Sequence, residues 1–215
     1  MVWNMDEALP ADLAGLDEAY AAAERDARAL VAGLSEAQGT WRREPSTWSV
    51  AECLDHLATA NRVYLAAMRP PAEMALAAGR RRSRPALPGL IGGWFVRTLE
   101  PPVKAWLKRK APKKIRPRAS PPLSDAVTAF LASQKDVRTF LRAFAGIDLP
   151  GVRFPNPFIR GIRFSLATGL HVIAAHERRH LLQGWSVRQG AERAVEASRA
   201  SDSPPAAGLN LSTRH

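Results

Sequence analysis

Four stretches of this sequence place apolar residues at alternating intervals of three and four, a rhythm that restricts the chain to helices packed side by side. In the first, Leu13, Leu16, Tyr20, Ala23, Ala27, Leu30 and Leu34 form one stripe, with Asp17, Glu24 and Arg28 falling between them. A second helix is expected to open near Ser49. Ser49 and Glu52 match a capping box, in which each side chain satisfies the other residue's free backbone N–H. Val50, Leu54, Leu57, Asn61, Tyr64 and Met68 then continue the seam, and Pro70-Pro71 is expected to stop it. A third helix is predicted from Ser124, as N-cap, to Ala145, with Val127, Phe130, Gln134, Val137, Leu141 and Phe144 inward and Gly146 as its stop. The fourth is predicted over Ile162 to Arg188. Leu166, Gly169, Ile173, His176, His180 and Val187 face inward, and Gly190 marks its end. No stretch alternates as a strand would, so the expected fold class is all-α, a four-helix bundle.

Residues 1–190 are read as one bundle domain, a size compatible with a substantial core. Between the second and third helices lies a long Pro-rich basic insertion, residues 71–122. One or two short helices are expected in it around Trp94, Phe95, Val96, Leu99, Trp106 and Leu107, interrupted by Pro101-Pro102 and packed across the bundle. Residues 191–215, rich in Ala, Ser and Pro, are expected to be a loose tail.

The formal charge of +11 is concentrated in that insertion. Arg80 to Arg118 holds thirteen Lys and Arg against one acid, Glu100, whereas the rest of the chain has eighteen basic and nineteen acidic residues. A nearly neutral body with one basic segment differs from a nucleic-acid binder that spreads its charge over the whole surface. A single cysteine excludes a disulfide framework and thiolate-rich metal sites within one chain. The N-terminal residues lack a secretory pattern. The longest weakly polar run, Pro85 to Val96, is far short of the roughly 20 residues a spanning helix needs. The expected compartment is cytoplasmic.

His176 and His180 are four residues apart on a predicted helix, so their side chains project about 40° apart. With Leu166 and Ile173 on the same side, the pair faces the interior. Two imidazoles so placed can share one metal ion; the competing reading is a pair of hydrogen-bonded core histidines. His171 lies about 140° from His176 and is read as a surface or inter-helix residue. His56, at the border of the second helix's apolar face, is the natural third ligand. One residue from one helix and an i,i+4 pair from another converge readily in a bundle, leaving a position open for water or substrate. The run His176-Glu177-Arg178-Arg179-His180 also matches H-E-x-x-H, the pattern of zinc hydrolases in which the glutamate activates water. Here the third histidine of the extended pattern would fall at Ser186, and only Glu192 and Glu196 follow.

Two anchors together, WSVAECLDHLATANRVYL from Trp48 and HERRHLLQ from His176 to Gln183, resemble the DinB-like (DinB/YfiT-like) superfamily of metal-binding four-helix bundles. The helix order and the run KAPKKIRPRASPP before the third helix add to the likeness, which covers about Ala11 to Gly190. The resemblance implies a divalent metal (zinc, nickel or iron) on His56, His176 and His180, and chemistry related to thiol-dependent S-transferases or a mycothiol-dependent isomerase. It implies a low-molecular-weight thiol as partner, whose carboxylates Arg160, Arg163 or Arg179 could clamp. Gln183 is read as a hydrogen-bond partner of a ligand or of water, and Glu52 as the same or simply as the cap; Glu177 is read as a base or as half of a salt bridge at the bundle edge, and Cys53 as a core residue rather than a fourth ligand. The alternative is a non-enzymatic binding protein that docks residues 80–118 on an anionic membrane or nucleic acid, with Trp94 and Trp106 as interfacial aromatics. Bundle faces often pair, so a homodimer is among the oligomeric states open to the chain.

Overall fold

A computed structural model describes residues 8–101 and 112–201 of the chain. It contains the helices α1 (Ala11–Val31), α2 (Glu36–Thr40), α3 (Val50–Ala77), α4 (Leu90–Leu99), α5 (Leu123–Ala143) and α6 (Leu166–Ser201). A short 3-10 turn, Lys113–Ile115, and an antiparallel hairpin of β1 (Arg153–Pro155) and β2 (Arg163–Ser165) complete the described elements. The fold is therefore the all-α bundle that the periodicity predicts. α1 and α3 each pack against both α5 and α6, which places them at opposite corners. No helix among the described residues is long and apolar enough to cross a membrane.

The inward stripes are placed as the spacing requires. Leu13, Leu16, Tyr20, Ala23, Ala27 and Leu30 are buried on α1, and Val50, Leu54, Leu57, Asn61, Tyr64 and Met68 on α3. The core they build has two apolar clusters. One gathers Tyr20, Tyr64, Met68, Val137, Phe140, Phe154 and Leu170, and the other gathers Ala23, Leu30, Leu54, Leu57, Phe130 and Leu181. Along α3, α5 and α6 the change from one cluster to the other falls at Asn61, Ser133-Gln134 and Glu177, all buried. A single polar layer thus cuts the core in two.

Several boundaries differ from the sequence reading. Pro70-Pro71 does not stop α3, which continues to Ala77. Pro70 and Ala66 are solvent-exposed, so a carbonyl deprived of its partner by the prolines can turn to water, while Ala72 and Ala75 bury the helix's final turns in the core. The connection to α5 consequently begins at Ala78 rather than at residue 71. α5 starts at Leu123 with Pro122, not Ser124, at the cap position, and its last helical residue is Ala143. α6 begins at Leu166, because residues 163–165 pair as a strand, and it runs through Gly190 to Ser201. Gly190 serves close packing instead: a Cβ there would meet the Trp41 ring at 2.8 Å. α2 has a capping box of its own, Ser35 with Gln38, that the apolar periodicity does not reveal.

The α3–α5 connection is stitched to the bundle at both described ends. At its start, Arg82 pairs with Asp12 at 2.6 Å, Asp12 also accepts the Ala86 N–H, and Arg80 pairs with Asp148 at 3.2 Å. At its end, Asp55 accepts both the backbone N–H and the Nε–H of Arg118, at 2.8 Å each. Part of the segment's positive charge is therefore matched by bundle acids. α4 occupies the middle and packs on α6. Trp106 and Leu107, the second group of apolar residues in the insertion, lie outside the described residues, as do His215 and most of the expected tail.

Candidate metal centre

α3 and α6 run antiparallel across the bundle and bring His56 to His176 and His180. Ser49 and Glu52 set the start of α3: the Ser49 N–H donates to Glu52 Oε2 at 2.9 Å, and the Glu52 N–H to Ser49 Oγ at 3.1 Å. That cap fixes the helix phase in which His56 turns inward. On α6 the i,i+4 spacing does the rest.

One nitrogen from each of the three rings lies within 4.8 Å of the others, and the Nε2 atoms of His56 and His176 are 3.2 Å apart. Ligand nitrogens bound tetrahedrally at about 2.0–2.1 Å stand roughly 3.3 Å from one another, so the spacing suits one shared ion. The outer nitrogens support the same geometry. His56 Nδ1 makes a short hydrogen bond to the Ile115 carbonyl, which can only accept, so Nδ1 carries the proton and Nε2 presents a lone pair. His180 Nδ1 is 2.9 Å from Gln183 Oε1, which with the amide oxygen as acceptor leaves its Nε2 free as well.

Burial keeps the rings neutral. It lowers His56 to about 4, with the Ile115 hydrogen bond opposing and Arg179 adding to the fall. It lowers His180 to about 3, helped by His56 and Arg179. His176 falls well below its ordinary value through burial and its two histidine neighbours. Neutral imidazole is the form that ligates a metal. His56 and His180 are buried, whereas His176 remains partly exposed. The Trp48 ring covers the other two, its centroid 4.6 Å from His56 and 5.5 Å from His180.

The remaining predicted site residues have separate places. Gln183, which lies almost beneath His176 on the helical wheel, bonds His180 instead. Glu52 is consumed by the cap and by an ion pair with Arg42 at 2.7 Å. Cys53 is buried in the core, its thiol pushed up by burial and by Glu52. His171 points away to the Ala86 carbonyl, at 3.1 Å. Arg160 and Arg163 are exposed in and beside the turn between β1 and β2. Arg179 is half-buried beside the histidines; burial lowers its pKa, and it has no hydrogen-bond or ion-pair partner among the described residues.

Glu177 is fully buried and belongs to the polar layer, where Asn61 Nδ2 donates to its Oε1 at 2.8 Å and to Ser133 Oγ at 3.1 Å. Burial raises its carboxyl to about 7, opposed by Gln134 and Asn61, which favour the charged form. Gln134 is close enough for that influence, yet neither of its amide atoms reaches hydrogen-bond geometry; Glu177 Oε2 and Asn61 Oδ1 likewise have no partner among the described residues. The carboxylate is not among the ligand atoms that converge; its hydrogen bond runs instead to Asn61 in the polar layer.

Two contributors were not foreseen. Trp48 opens the α3 signature, but nothing in its spacing announces a ring lying tilted over two of the histidines. The Ile115 carbonyl is backbone, far away in sequence, and carries no side-chain signal. A family model described as the DinB superfamily matches residues 19–183, a span that includes all three histidines and Gln183. No curated protein and no solved structure matches the chain.

Proposed function

The chain belongs to the DinB superfamily, and from that premise we propose that it is a divalent-metal-dependent enzyme of small-thiol chemistry, an S-transferase or a related detoxification enzyme. His56, His176 and His180 are its metal ligands. The observation that carries this reading is the orientation of the rings, with outer nitrogens held by Ile115 and Gln183 and inner nitrogens converging. A divalent ion such as zinc, nickel or iron on these nitrogens supplies the Lewis acidity that keeps a coordinated thiol in its nucleophilic thiolate form near neutral pH.

The chain's own residues do the rest. Ile115 and Gln183 fix two ligand rings in tautomer and direction. Trp48 shields His56 and His180 from water, and the partly exposed His176 marks the side open to a substrate. Arg179 offers a guanidinium without an acidic partner among the described residues to the carboxylate of a low-molecular-weight thiol. The lone cysteine, buried and with its pKa raised, is protected from competing as a nucleophile and fits a cytoplasmic setting.

Elemental analysis of protein purified without added metal tests the site: about one divalent ion per chain is expected from three imidazoles. Protein free of metal overturns the reading. With metal bound, a panel of carboxylate-bearing thiols offered together with a chromogenic electrophile reads the transfer. Metal-loaded protein inert toward every thiol overturns the transferase assignment and leaves the metal site standing.

A further inference from the structure

α4 is apolar on both sides, and among the described residues only one side packs on the bundle. Gly92, Phe95, Val96 and Leu99 lie on the face turned to α6. Gly92 sits so close to Thr168 that a Cβ would come within 2.4 Å of its hydroxyl, Val96 is buried, and the Phe95 ring lies 5.0 Å from that of Phe164. At 100° per residue the opposite face carries Leu90, Ile91 and Trp94, with Arg97 at its edge. Leu90 is 95% exposed, Ile91 79%, Trp94 59%, and Leu87 just ahead of the helix 57%. Contiguous large apolar side chains in water mark an interaction surface. Here they ride on a helix whose other face is firmly seated.

The charge around them selects the partner. Arg80 to Arg118 carries a net +12 in sequence, and Arg97 is exposed at the edge of the apolar face. A second copy of the chain would bring the same positive segment against itself. A nucleic acid would match the charge but offers nothing to three aliphatic side chains at the surface. An anionic bilayer matches both: phosphates for the cations, and an acyl boundary for Leu, Ile and Trp. We propose that α4 is a membrane-interface helix, its Leu87, Leu90, Ile91 and Trp94 entering the headgroup–acyl boundary of an anionic bilayer while exposed arginines of the same connection, Arg97 among them, contact lipid phosphates. This surface is separate from the histidine cluster, and the inference stands whether or not the metal reading does.

Co-sedimentation of the full chain with vesicles tests it. Binding is expected to phosphatidylcholine vesicles containing phosphatidylglycerol and not to phosphatidylcholine alone. Leu90→Ser with Ile91→Ser changes only exposed positions and should weaken that binding at least about tenfold, given the transfer free energy of two large aliphatic side chains, with metal content and helicity unchanged. No binding to anionic vesicles overturns the proposal. So does binding that the double variant leaves intact, which would be charge attraction alone and would appear equally with duplex DNA. A dimer in the absence of lipid that the double variant dissociates also overturns it, since the face would then belong to a second copy.

Discussion

The histidine cluster and the Glu177 layer are adjacent on α6 and built on opposite plans. The rings of His56 and His180 are satisfied on their outer edges, by Ile115 and Gln183, while their inner nitrogens converge on His176. The Glu177 layer is closed between two apolar clusters, and its deficits are scattered: Glu177 Oε2, Asn61 Oδ1 and both amide atoms of Gln134 lack partners among the described residues. Convergent lone pairs are complementary to a cation. Scattered donors and acceptors cost stability and are complementary to nothing in common. Within the motif His176-Glu177-x-x-His180 the two imidazoles join the convergent cluster while the carboxylate bonds into the layer.

The comparison can be broken most decisively at the ligands. His56→Ala together with His180→Ala should eliminate bound divalent metal in elemental analysis and abolish any thermal stabilisation by added metal; metal retained in that variant refutes the assignment. A smaller effect is expected from Gln183→Leu, which removes the group that orients His180. Metal affinity, measured by competition with a chromophoric chelator, should fall about 10–100-fold, and an unchanged affinity would show that ring orientation does not depend on Gln183.

The layer predicts a different signature. The folded Glu177 carboxyl titrates near 7, above its unfolded value. Its contribution is therefore full at pH below the ordinary carboxyl range and is lost as pH rises through about 7. In chelator-treated protein, Glu177→Gln should match the parent in acid and exceed it above neutrality by on the order of 1–3 kcal/mol in urea unfolding. A constant difference across pH contradicts a buried, proton-holding carboxyl. The smallest effect is expected of Gln134→Leu, which exchanges an amide without hydrogen bonds for an apolar side chain. Stability should change by less than about 1 kcal/mol, with metal content unaffected, whereas a large loss would mean that Gln134 carries a bond of consequence.

The sequence made the bundle legible because burial repeats every three or four residues, and Leu13 through Leu30 and Val50 through Met68 show it plainly. The convergence of His176 and His180 was legible for a related reason: an i,i+4 pair on an inward face constrains side-chain direction before any tertiary contact is known. Punctuation was misread where packing overrules local propensity. Pro70-Pro71 lies inside a helix whose later turns are held by Ala72 and Ala75, and Gly190 makes room for Trp41. The position of Glu177 was hidden because its partners, Asn61 and Ser133-Gln134, come from two other helices and look like ordinary polar substitutions in apolar seams. Ile115 was hidden because a carbonyl acts in the same way whatever side chain it bears.

The hold of Ile115 and Arg118 on α3 has a consequence for how the molecule responds as a whole. His56 is directed by a carbonyl in the charge-rich connection, and the neighbouring Asp55 clamps that connection through Arg118 at 2.8 Å. Seating of residues 112–118 is thus a shared variable of two equilibria. On the proposed metal reading, whatever binds the connection more tightly when it is seated must raise the affinity of the histidines for an ion, and that ion must raise the affinity for the partner by the same factor. Residues 112–118, remote from the histidines in sequence, thus share in setting the geometry of the cluster.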